Sequence, residues 1–488
     1  MTVNYKVVLR IMGILLLVLG FSLIPSLVVA LIYKEYNCVP AFLYVIIPCL
    51  VPGFIIAKNV NRSMLKMKIR DGYLVVAMSW IVASFIGALP FYFSGSIPSL
   101  VESFFESASG FTTTGSTLIP DVEALPRSIL FWRSFTHWLG GMGVIVLIMA
   151  LFSSLGVSGQ LIASAETPGP TMDKLTPKFS DTAYNLYRIY IVFTAVETIL
   201  LCLGGMSLYD SLVHSFGTAG TGGFSTYNNS IAHFSSPYLQ WVIFIFMVLC
   251  GINFNLFFVL KRRGLKEMLK DNELRFYLTL IGATACLIYM DLMLTDTYTD
   301  SSACLRDSFF QVGSIITTTG YATADFDIWP TFAKMLIFLV MLTGACSSST
   351  GGGVKIIRVL VCLKLIKRGI SLKIHPNRVV PIRIGEKEIS QEVATGIANF
   401  VFLYVFTVFL GSLLISFNGY DLVTTITSVM TCLGNIGPGF NLVGPTCNFH
   451  FLSGFSKAVL SLLMIAGRLE LFTFLMLFSP HYWNSNRV

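Results

Sequence analysis

The sequence predicts an all-α polytopic membrane protein, with two N-terminal helices, four similar repeats and ten spanning helices in all. Three observations predict this class: the apolar composition, the lengths of the apolar runs, and a pattern that recurs four times. Of 488 residues, 55% are hydrophobic and 12% are charged, and the mean hydropathy is +0.75. A soluble domain carries about 25% charged residues, so we expect most of this surface to face lipid.

Ten apolar stretches come close to the roughly 20 residues that cross about 30 Å of hydrocarbon. They are residues 11–33, 41–57, 73–93, 130–152, 183–207, 238–260, 276–296, 331–343 continuing as 354–368, 391–416 and 454–478. The first stretch contains 23 residues without a charge. A signal peptide has an apolar core of only about 7–15 residues, so we expect this helix to be retained.

The loops richest in Lys and Arg fall on one side of the membrane when the ten spans alternate. They begin at Lys58, Lys174, Lys261 and Lys364. The positive-inside rule makes this the cytoplasmic side and places both termini there. The basic residues of these inner loops therefore account for the net charge of +8, and no nucleic-acid partner is expected. The ten cysteines form no CxxC pair, so neither a zinc site nor a disulfide framework is expected.

A pattern centred on a glycine recurs on the opposite side. The four glycines are Gly115, Gly223, Gly320 and Gly437, separated by 108, 97 and 117 residues. Two residues before them stand Thr113, Thr221, Thr318 and Asn435, and six residues before them stand the small residues Ser109, Gly217, Ser314 and Thr431. Thirteen residues before them stand Glu102, Asp210, Asp307 and Thr424. Each of these last four is predicted to cap the N-terminus of a short helix.

Each pattern predicts a short helix and an irregular segment between two spanning helices. Irregular backbone at membrane depth must be buried in protein or line a water-filled path. We therefore expect four re-entrant loops around one pore, with fourfold pseudosymmetry. The negative C-terminal ends of the short helices would face the axis and favour a cation. The predicted units are residues 1–70 for the helix pair and 71–180, 181–272, 273–385 and 386–488 for the four repeats.

The eighth span is interrupted by Gly344–Gly353, with the sequence GACSSSTGGG. Glycine costs a helix about 1 kcal/mol per residue, and serine competes for its backbone hydrogen bonds. Two interpretations follow: a kink or tight helix crossing, or an intramembrane loop that obstructs the pore below the glycine segments.

The stretches TTTG, TGGFS, TTTGYATADF and NIGPG, with GACSSSTGGGVK and GRLE, resemble the Trk/Ktr/HKT superfamily of potassium transporters. The two extra N-terminal spans and the stretch IHPNRVVPIR resemble its bacterial TrkH-like branch. The resemblance covers essentially the whole chain and implies a selectivity filter of four covalently linked, nonidentical segments. These glycine segments, numbered 1 to 4 in chain order, are Thr113–Thr117, Thr221–Ser225, Thr318–Ala322 and Asn435–Gly439.

The resemblance assigns potassium binding to four residues in each glycine segment. They are Thr113, Thr114, Gly115, Ser116, Thr221, Gly222, Gly223, Phe224, Thr318, Thr319, Gly320, Tyr321, Asn435, Ile436, Gly437 and Pro438. In the plant members, serine in place of the first filter glycine accompanies sodium transport. All four glycines are present here, which favours potassium.

The resemblance also implies a gate formed by the Gly344–Gly353 loop, Lys355 and Arg468. The loop residues are Gly344, Ala345, Cys346, Ser347, Ser348, Ser349, Thr350, Gly351, Gly352 and Gly353. Family members often carry glycine where Ala345 and Ser348 stand, a departure that would stiffen this loop.

The two basic residues of this predicted gate each have an alternative role. Arg468 contacts the loop or forms a salt bridge with Glu470 or with an acid of another repeat. The loop is preferred, because residues two apart on a helix point in different directions. Lys355 belongs to the gate or anchors the helix at the inner membrane surface.

Five further polar residues lie in or near the spans. Arg133 and His137, one turn apart, are candidates to pair with Glu106 or Glu197, and Asp291 is near the outer end of the seventh span. Each could relay protons, but hydrogen bonding between repeats is the preferred interpretation.

With this resemblance, the sequence predicts potassium uptake across the bacterial inner (plasma) membrane, without enzymatic activity or a covalent cofactor and with K⁺ as the transported ion. It has no GxxxxGK[ST] or Rossmann motif, so a separate subunit would bind any regulatory nucleotide. The resemblance implies a homodimer in the lipid bilayer and a cytoplasmic, TrkA-like nucleotide-binding subunit. One alternative is a sodium-coupled secondary transporter, which predicts inverted repeats. The other is a polytopic membrane enzyme, which predicts a surface cluster of His, Asp or Glu.

Overall fold

The computed structural model describes residues 4–59, 69–143, 179–385 and 387–483. The helices are Tyr5–Ile32, Val39–Asn59, Ile69–Phe93, Leu100–Phe111, Arg127–Gly141, Phe179–Leu203, Leu208–Gly220, Pro237–Cys250, Asn255–Arg263, Leu265–Met268, Asn272–Leu294, Ser301–Ile316, Thr331–Thr343, Ile356–Ile374, Gln391–Ile415, Leu422–Gly434, Gly454–Arg468, Phe472–Met476 and Pro480–Trp483. A small antiparallel hairpin pairs Arg383–Ile384 with Lys387–Glu388. Residues 144–152 of the predicted fourth span, the loop beginning at Lys174 and most of the loop beginning at Lys58 lie outside the described residues.

Six of the described helices are long and apolar enough to cross a membrane. They lie within Tyr5–Ile32, Val39–Asn59, Arg70–Phe93, Tyr184–Leu203, Asn272–Leu294 and Gln391–Asn418. A seventh candidate is a pair of helices, Pro237–Cys250 and Asn255–Arg263, bent by 94°. The structure confirms an all-α, multi-pass membrane protein, and the count of ten spans stays a prediction.

Each repeat contains a first helix, a short helix, a glycine segment and a second helix. The first helices 1 to 4 are Ile69–Phe93, Phe179–Leu203, Asn272–Leu294 and Gln391–Ile415. The short helices 1 to 4 are Leu100–Phe111, Leu208–Gly220, Ser301–Ile316 and Leu422–Gly434. The second helices 1 to 4 are Arg127–Gly141, Pro237–Cys250, Thr331–Thr343 and Gly454–Arg468.

The four repeats close into a ring. Each second helix packs on the short helix of the next repeat, and second helix 4 packs on short helix 1. An ion pair of 2.6 Å between Lys457 Nζ and Glu102 Oε1 ties this last contact. The ring brings the four glycine segments to a common centre.

The N-terminal helix pair packs on the outside of repeat 1. Tyr5–Ile32 lies along Val39–Asn59 and also contacts the first and second helices of repeat 1. The pair crosses closely at two glycines, because a Cβ added at Gly53 would lie 2.9 Å from the carbonyl oxygen of Gly13. Small residues at a helix crossing let apolar helices approach closely in a membrane.

The second helices are shorter than the predicted spans. They contain 15, 14, 13 and 15 residues, which at 1.5 Å per residue is about 20 Å. The candidate spans 238–260 and 454–478 are not single continuous helices: the first bends after Cys250, and in the second the helix ends at Arg468. Glu470 has a φ of +55°, so the premise that Arg468 and Glu470 share a helix is wrong.

Glycines near these helix ends let the second helices touch neighbouring backbone. A Cβ added at Gly140 would collide with the carbonyl oxygen of Phe111, and one at Gly467 with that of Leu433. Both carbonyls lie four residues before a segment glycine, in repeats 1 and 4. In these two repeats the second helix therefore reaches the C-terminal end of the short helix and stops there.

The acidic or threonine residues predicted as helix caps lie inside the short helices, so that prediction is wrong. They lie three residues after the N-cap in repeats 1, 2 and 4 and seven residues after it in repeat 3. The N-caps are Ser99, Ser207, Asp300 and Asp421. Two of the predicted caps donate their backbone N–H to the true cap, Asp210 to Ser207 Oγ at 3.1 Å and Thr424 to Asp421 Oδ2 at 3.0 Å.

Candidate functional site

The glycine segments share one backbone conformation. The residue two before each glycine is left-handed, with φ of 57° at Thr113, 54° at Thr221, 59° at Thr318 and 54° at Asn435. The glycines themselves have φ of 82°, 78°, 83° and 100°. A β-branched residue at positive φ is uncommon and strained, so the three threonines are held in place by their surroundings.

Each short helix ends in the same hydrogen bond. The donor is the N–H of the residue immediately before the glycine. The acceptor is the carbonyl of the small residue that stands six positions before the glycine, and the donor–acceptor distances are 2.8–2.9 Å. The pairs are Thr114 with Ser109, Gly222 with Gly217, Thr319 with Ser314, and Ile436 with Thr431. This is the closing bond of a helix C-terminus followed by a left-handed residue. It explains the spacing of the pattern in physical terms.

The four segments contact one another in a closed cycle. A Cβ added at Gly115 would collide with the carbonyl oxygen of Gly222, one at Gly223 with that of Thr319, and one at Gly320 with that of Ile436. At Gly437 the added Cβ would lie 2.9 Å from the carbonyl oxygen of Thr114, which completes the cycle. Each carbonyl belongs to the residue immediately before the next glycine. We call these four carbonyls the carbonyl ring.

Side chains of the short helices fasten the segments from behind. In repeats 2 and 3 the acid thirteen residues before the glycine accepts a hydrogen bond from a threonine three residues after it. Thr226 Oγ1 donates to Asp210 at 3.1 Å, and Thr323 Oγ1 donates to Asp307 at 3.0 Å. In repeat 1, Glu106 accepts from Thr117 Oγ1 and from the N–H of Leu118, both at 2.9 Å.

The residues after the glycines differ between repeats. The carbonyl of Phe224 accepts a hydrogen bond from the Tyr321 hydroxyl at 3.3 Å, and the carbonyl of Tyr321 accepts one from Ser314 Oγ at 2.6 Å. Ser116 Oγ instead donates to the carbonyl of Gly437 at 3.1 Å. Fourfold symmetry is therefore closest at the carbonyl ring and is lost one residue later.

The Gly344–Gly353 loop lies directly against the glycine segments. The N–H of Gly352 donates to Thr318 Oγ1 at 2.6 Å. A Cβ added at Gly351 would lie 2.8 Å from the carbonyl oxygen of Thr317, and one at Gly352 would collide with that of Gly434. The glycines of this loop thus permit close contact with repeats 3 and 4.

Both basic residues assigned to the loop contact its backbone. Arg468 donates to the carbonyl of Thr350 at 2.8 Å and to the carbonyls of Gly140 and Gly141 at 2.9 and 2.6 Å. Lys355 is buried and donates from Nζ to the carbonyl of Gly351. Arg468 therefore joins the loop to the end of second helix 1.

Other loop contacts involve residues that the sequence did not single out. Glu273, in first helix 3, accepts from the N–H of Ser347 at 2.6 Å and from its Oγ at 2.7 Å. The broken stretch after Cys250 pairs with the loop, since Cys346 N–H donates to the Gly251 carbonyl and Phe254 N–H to the Ser348 carbonyl, both at 3.1 Å. A glutamate near the start of a span resembles an ordinary helix-end acid, so the sequence carried no signal for this role.

Glu470 pairs with a different arginine. Its Oε2 lies 2.6 Å from Arg358 Nη2, so the salt bridge considered for Arg468 is formed by Arg358. Ser348 in the loop has a φ of +52°. A non-glycine residue is strained at this angle, which gives a physical reason for glycine at this position.

The polar residues of the spans make contacts between elements. Arg133 Nε lies 2.6 Å from Glu106 Oε1, and His137 Nδ1 lies 2.8 Å from the Gly110 carbonyl oxygen. Glu197 is buried and forms no salt bridge within the described ranges. Asp291 accepts from the N–H of Ala333 at 3.2 Å, at the start of second helix 3.

Comparison with known proteins places this architecture in a family. The family model TrkH, described as a cation transport protein, matches residues 39–485. The Trk system potassium uptake protein TrkH of Escherichia coli K12 is 36% identical over 485 residues, covering 98% of this chain and 99% of that protein. TrkG of the same organism, also a Trk system potassium uptake protein, is 34% identical over 487 residues, covering 99% of this chain and 100% of that protein.

A solved structure agrees with this assignment. The crystal structure of the potassium transporter TrkH from Vibrio parahaemolyticus matches with a TM-score of 0.88 and 31% identity, over 99% of this chain and 100% of that one. Family model, relatives and fold agree over nearly the full length. The chain therefore belongs to the TrkH family of cation transport proteins.

Proposed function

We propose that this protein takes up K⁺ across the bacterial inner membrane through a pore at the centre of its four repeats. The observation that carries the proposal is the closed carbonyl ring of Thr114, Gly222, Thr319 and Ile436. A ring of backbone carbonyls replaces the hydration shell of a potassium ion. The relatives named as potassium uptake proteins support the choice of ion.

The backbone of the short helices supports a cation as the transported species. In a trans peptide the N–H and C=O point in opposite directions. The N–H groups of the ring residues point back into the short helices, so the carbonyls of the left-handed residues point away from those helices. The helix C-termini also carry partial negative charge. Both effects concentrate negative potential at the centre without a carboxylate.

The ligand layers follow from these hydrogen bonds. We assign the inner layers to the left-handed residues Thr113, Thr221, Thr318 and Asn435 and to the carbonyl ring, where all four repeats contribute alike. The outermost residues Phe224 and Tyr321 contribute less, because their carbonyls accept hydrogen bonds from Tyr321 and Ser314. Ser116 and Pro438 complete that outer layer in repeats 1 and 4.

The gate proposal rests on the position of the Gly344–Gly353 loop. It contacts the residues just before glycine segments 3 and 4, and Arg468 and Lys355 bring two positive charges to its backbone. A positive charge beside the path raises the barrier to a cation, and a hydrogen-bonded loop keeps it there. Opening then requires the loop to leave these contacts.

The assembly proposed is a homodimer in the inner membrane, with both termini cytoplasmic and a TrkA-like nucleotide-binding subunit on the cytoplasmic side. The basic loops beginning at Lys261 and Lys364 support this orientation. The sequence contains no nucleotide-binding motif of its own. Nucleotide control would therefore act on the Gly344–Gly353 loop through the partner.

The test is ion flux into liposomes that contain the purified protein. We expect K⁺ and Rb⁺ to enter faster than Na⁺, because a carbonyl ring that replaces the hydration shell of K⁺ also suits Rb⁺, which is similar in size, better than the smaller Na⁺. The assay is repeated with and without a pH gradient, which separates passive from proton-coupled flux. Equal rates for K⁺ and Na⁺, measured in protein that elutes as a single folded species, would contradict the proposed function.

A further inference from the structure

Second helix 1 differs from its three counterparts at two buried positions. The seventh and eleventh residues are Ile243 and Met247 in second helix 2, Ile337 and Met341 in second helix 3, and Leu460 and Met464 in second helix 4. In second helix 1 they are Arg133 and His137. All eight residues are at most 2% exposed. Three repeats fill this place with apolar side chains, so the packing itself does not require a polar pair, and a buried charge is costly.

His137 lies against the back of glycine segment 2. A carbonyl oxygen can only accept, so the 2.8 Å contact between Nδ1 and Gly110 places the ring proton on Nδ1. Nε2 then accepts the N–H of Phe224 at 3.3 Å. The ring also covers Gly222, where an added Cβ would collide with it. One neutral imidazole therefore joins short helix 1 to glycine segment 2.

Arg133 contacts the last carbonyl of the same segment, two peptides further along the chain. Its Nη1 donates to the carbonyl of Ser225 at 3.1 Å, and its guanidinium carbon lies 3.4 Å from the centre of the Phe224 ring. Its charge is balanced by Glu106, which also holds the end of glycine segment 1 through Thr117. One buried ion pair thus couples two adjacent segments.

We infer that Arg133 and His137 are positioning residues that set the carbonyl directions of glycine segment 2 and thereby determine the discrimination between K⁺ and Na⁺. The reason is the geometry of a trans peptide. When the N–H of Phe224 points to His137, the carbonyl of Gly223 in the same peptide points away from second helix 1. Without that acceptor the peptide is free to rotate and to withdraw its carbonyl. This inference rests on the proposed function, whose filter it deepens.

A matched pair of substitutions separates the two contacts of His137. In His137→Asn the side-chain amide reaches the position of Nδ1 and keeps the bond to Gly110, but it leaves the Phe224 N–H without an acceptor. In His137→Gln the amide oxygen reaches the position of Nε2 and keeps that acceptor. We expect His137→Asn to lower the K⁺/Na⁺ flux ratio by roughly three- to tenfold, the effect of one hydrogen bond, and His137→Gln to retain most of it.

A second variant gives repeat 1 the apolar chemistry of the other repeats. Glu106→Gln, Arg133→Leu and His137→Met are combined, so that no buried carboxylate is left without its partner. We expect this protein to fold, as judged by gel filtration and thermal melting, and to conduct with a reduced K⁺/Na⁺ ratio. Arg133→Lys, which keeps the charge beside Glu106 but not the planar donor to Ser225, should lose part of the ratio.

The outcomes distinguish this inference from the proposed function. Suppose that the unmodified protein prefers K⁺ and that His137→Asn and His137→Gln have the same K⁺/Na⁺ flux ratio as each other. The inference is then overturned and the filter proposal stands. A combined variant with the unmodified ratio overturns it equally. If the unmodified protein shows no preference for K⁺, the proposed function itself fails. Should the combined variant not fold, the Asn and Gln pair still decides.

Discussion

At the residue scale, the glycines of the four segments are required by contact as well as by conformation. Each has a positive φ, which glycine adopts at little cost. Each also leaves room for a carbonyl oxygen of the neighbouring segment. The three threonines at positive φ are strained by about 1–3 kcal/mol each, because they carry a Cβ, and such strain is typical of a functional site.

A serine at Gly320 tests the contact separately from the strain. Its Cβ would collide with the Ile436 carbonyl oxygen, so we expect the K⁺/Na⁺ flux ratio to fall roughly tenfold or more, by analogy with losing a preorganised ligand. The control is Gly205→Ser, because Gly205 has a φ of +93° but nothing within 4 Å of its added Cβ. It should carry the same backbone strain and leave the ratio unchanged. Similar ratios for both variants would argue against the carbonyl ring as the filter.

At the scale of elements, the second helices of all four repeats contain only 13 to 15 residues, fewer than the roughly 20 that cross a membrane. Repeat 3 fills the space below with the Gly344–Gly353 loop, while the stretch after Cys250 supports that loop from repeat 2. Thr318 connects the loop to the carbonyl ring, through its Oγ1 bond with Gly352. A movement of the loop therefore removes a hydrogen bond from glycine segment 3, which links the proposed gate to the proposed filter.

Replacing Glu273 by alanine should loosen the loop. The carboxylate makes two hydrogen bonds with Ser347, and hydrogen bonds to a charged group contribute about 1.5–3 kcal/mol each. We expect K⁺ flux without the cytoplasmic subunit to rise roughly tenfold or more, measured as ⁸⁶Rb⁺ uptake in liposomes. Glu267→Ala is the control, since the Glu267 side chain is 40% exposed and its carboxylate pairs with Lys270. Unchanged flux in a folded Glu273→Ala protein would contradict a gating role for the loop.

At the scale of the whole molecule, the four repeats could be predicted because their signal is local. In each repeat the left-handed residue, the glycine and the closing hydrogen bond of the short helix lie within six residues of one another. Their spacing in the sequence is therefore fixed. The breaks after Cys250 and Arg468 gave no comparable signal, because a single glycine such as Gly251 or Gly467 is also common within continuous spanning helices. Pairings such as Arg358 with Glu470, or Glu273 with Ser347, depend on tertiary packing and could not be read from the chain.

The closure between repeats 4 and 1 should depend on the ion pair of Lys457 and Glu102. The two side chains are 6% and 22% exposed, so Lys457→Met leaves a largely buried carboxylate unpaired and should destabilise the protein by about 3 kcal/mol. The thermal melting temperature in detergent should fall, and adding Glu102→Gln should restore part of it. Lys270→Met, which breaks a surface pair exposed by 72% and 40%, should change the melting temperature little. Equal shifts for the two lysines would show that the pair does not hold the ring closed.

The closed cycle has a consequence for biosynthesis. Asn435 Nδ2 donates to Thr114 Oγ1 at 2.9 Å, although the two residues are 321 positions apart in the chain. At about 10 residues per second, a ribosome needs roughly half a minute to make the chain between them. During that interval the membrane holds at most three quarters of a carbonyl ring. The proposed ion-binding centre is complete only when the last repeat inserts, so we expect a stalled or truncated chain to lack the selective pathway.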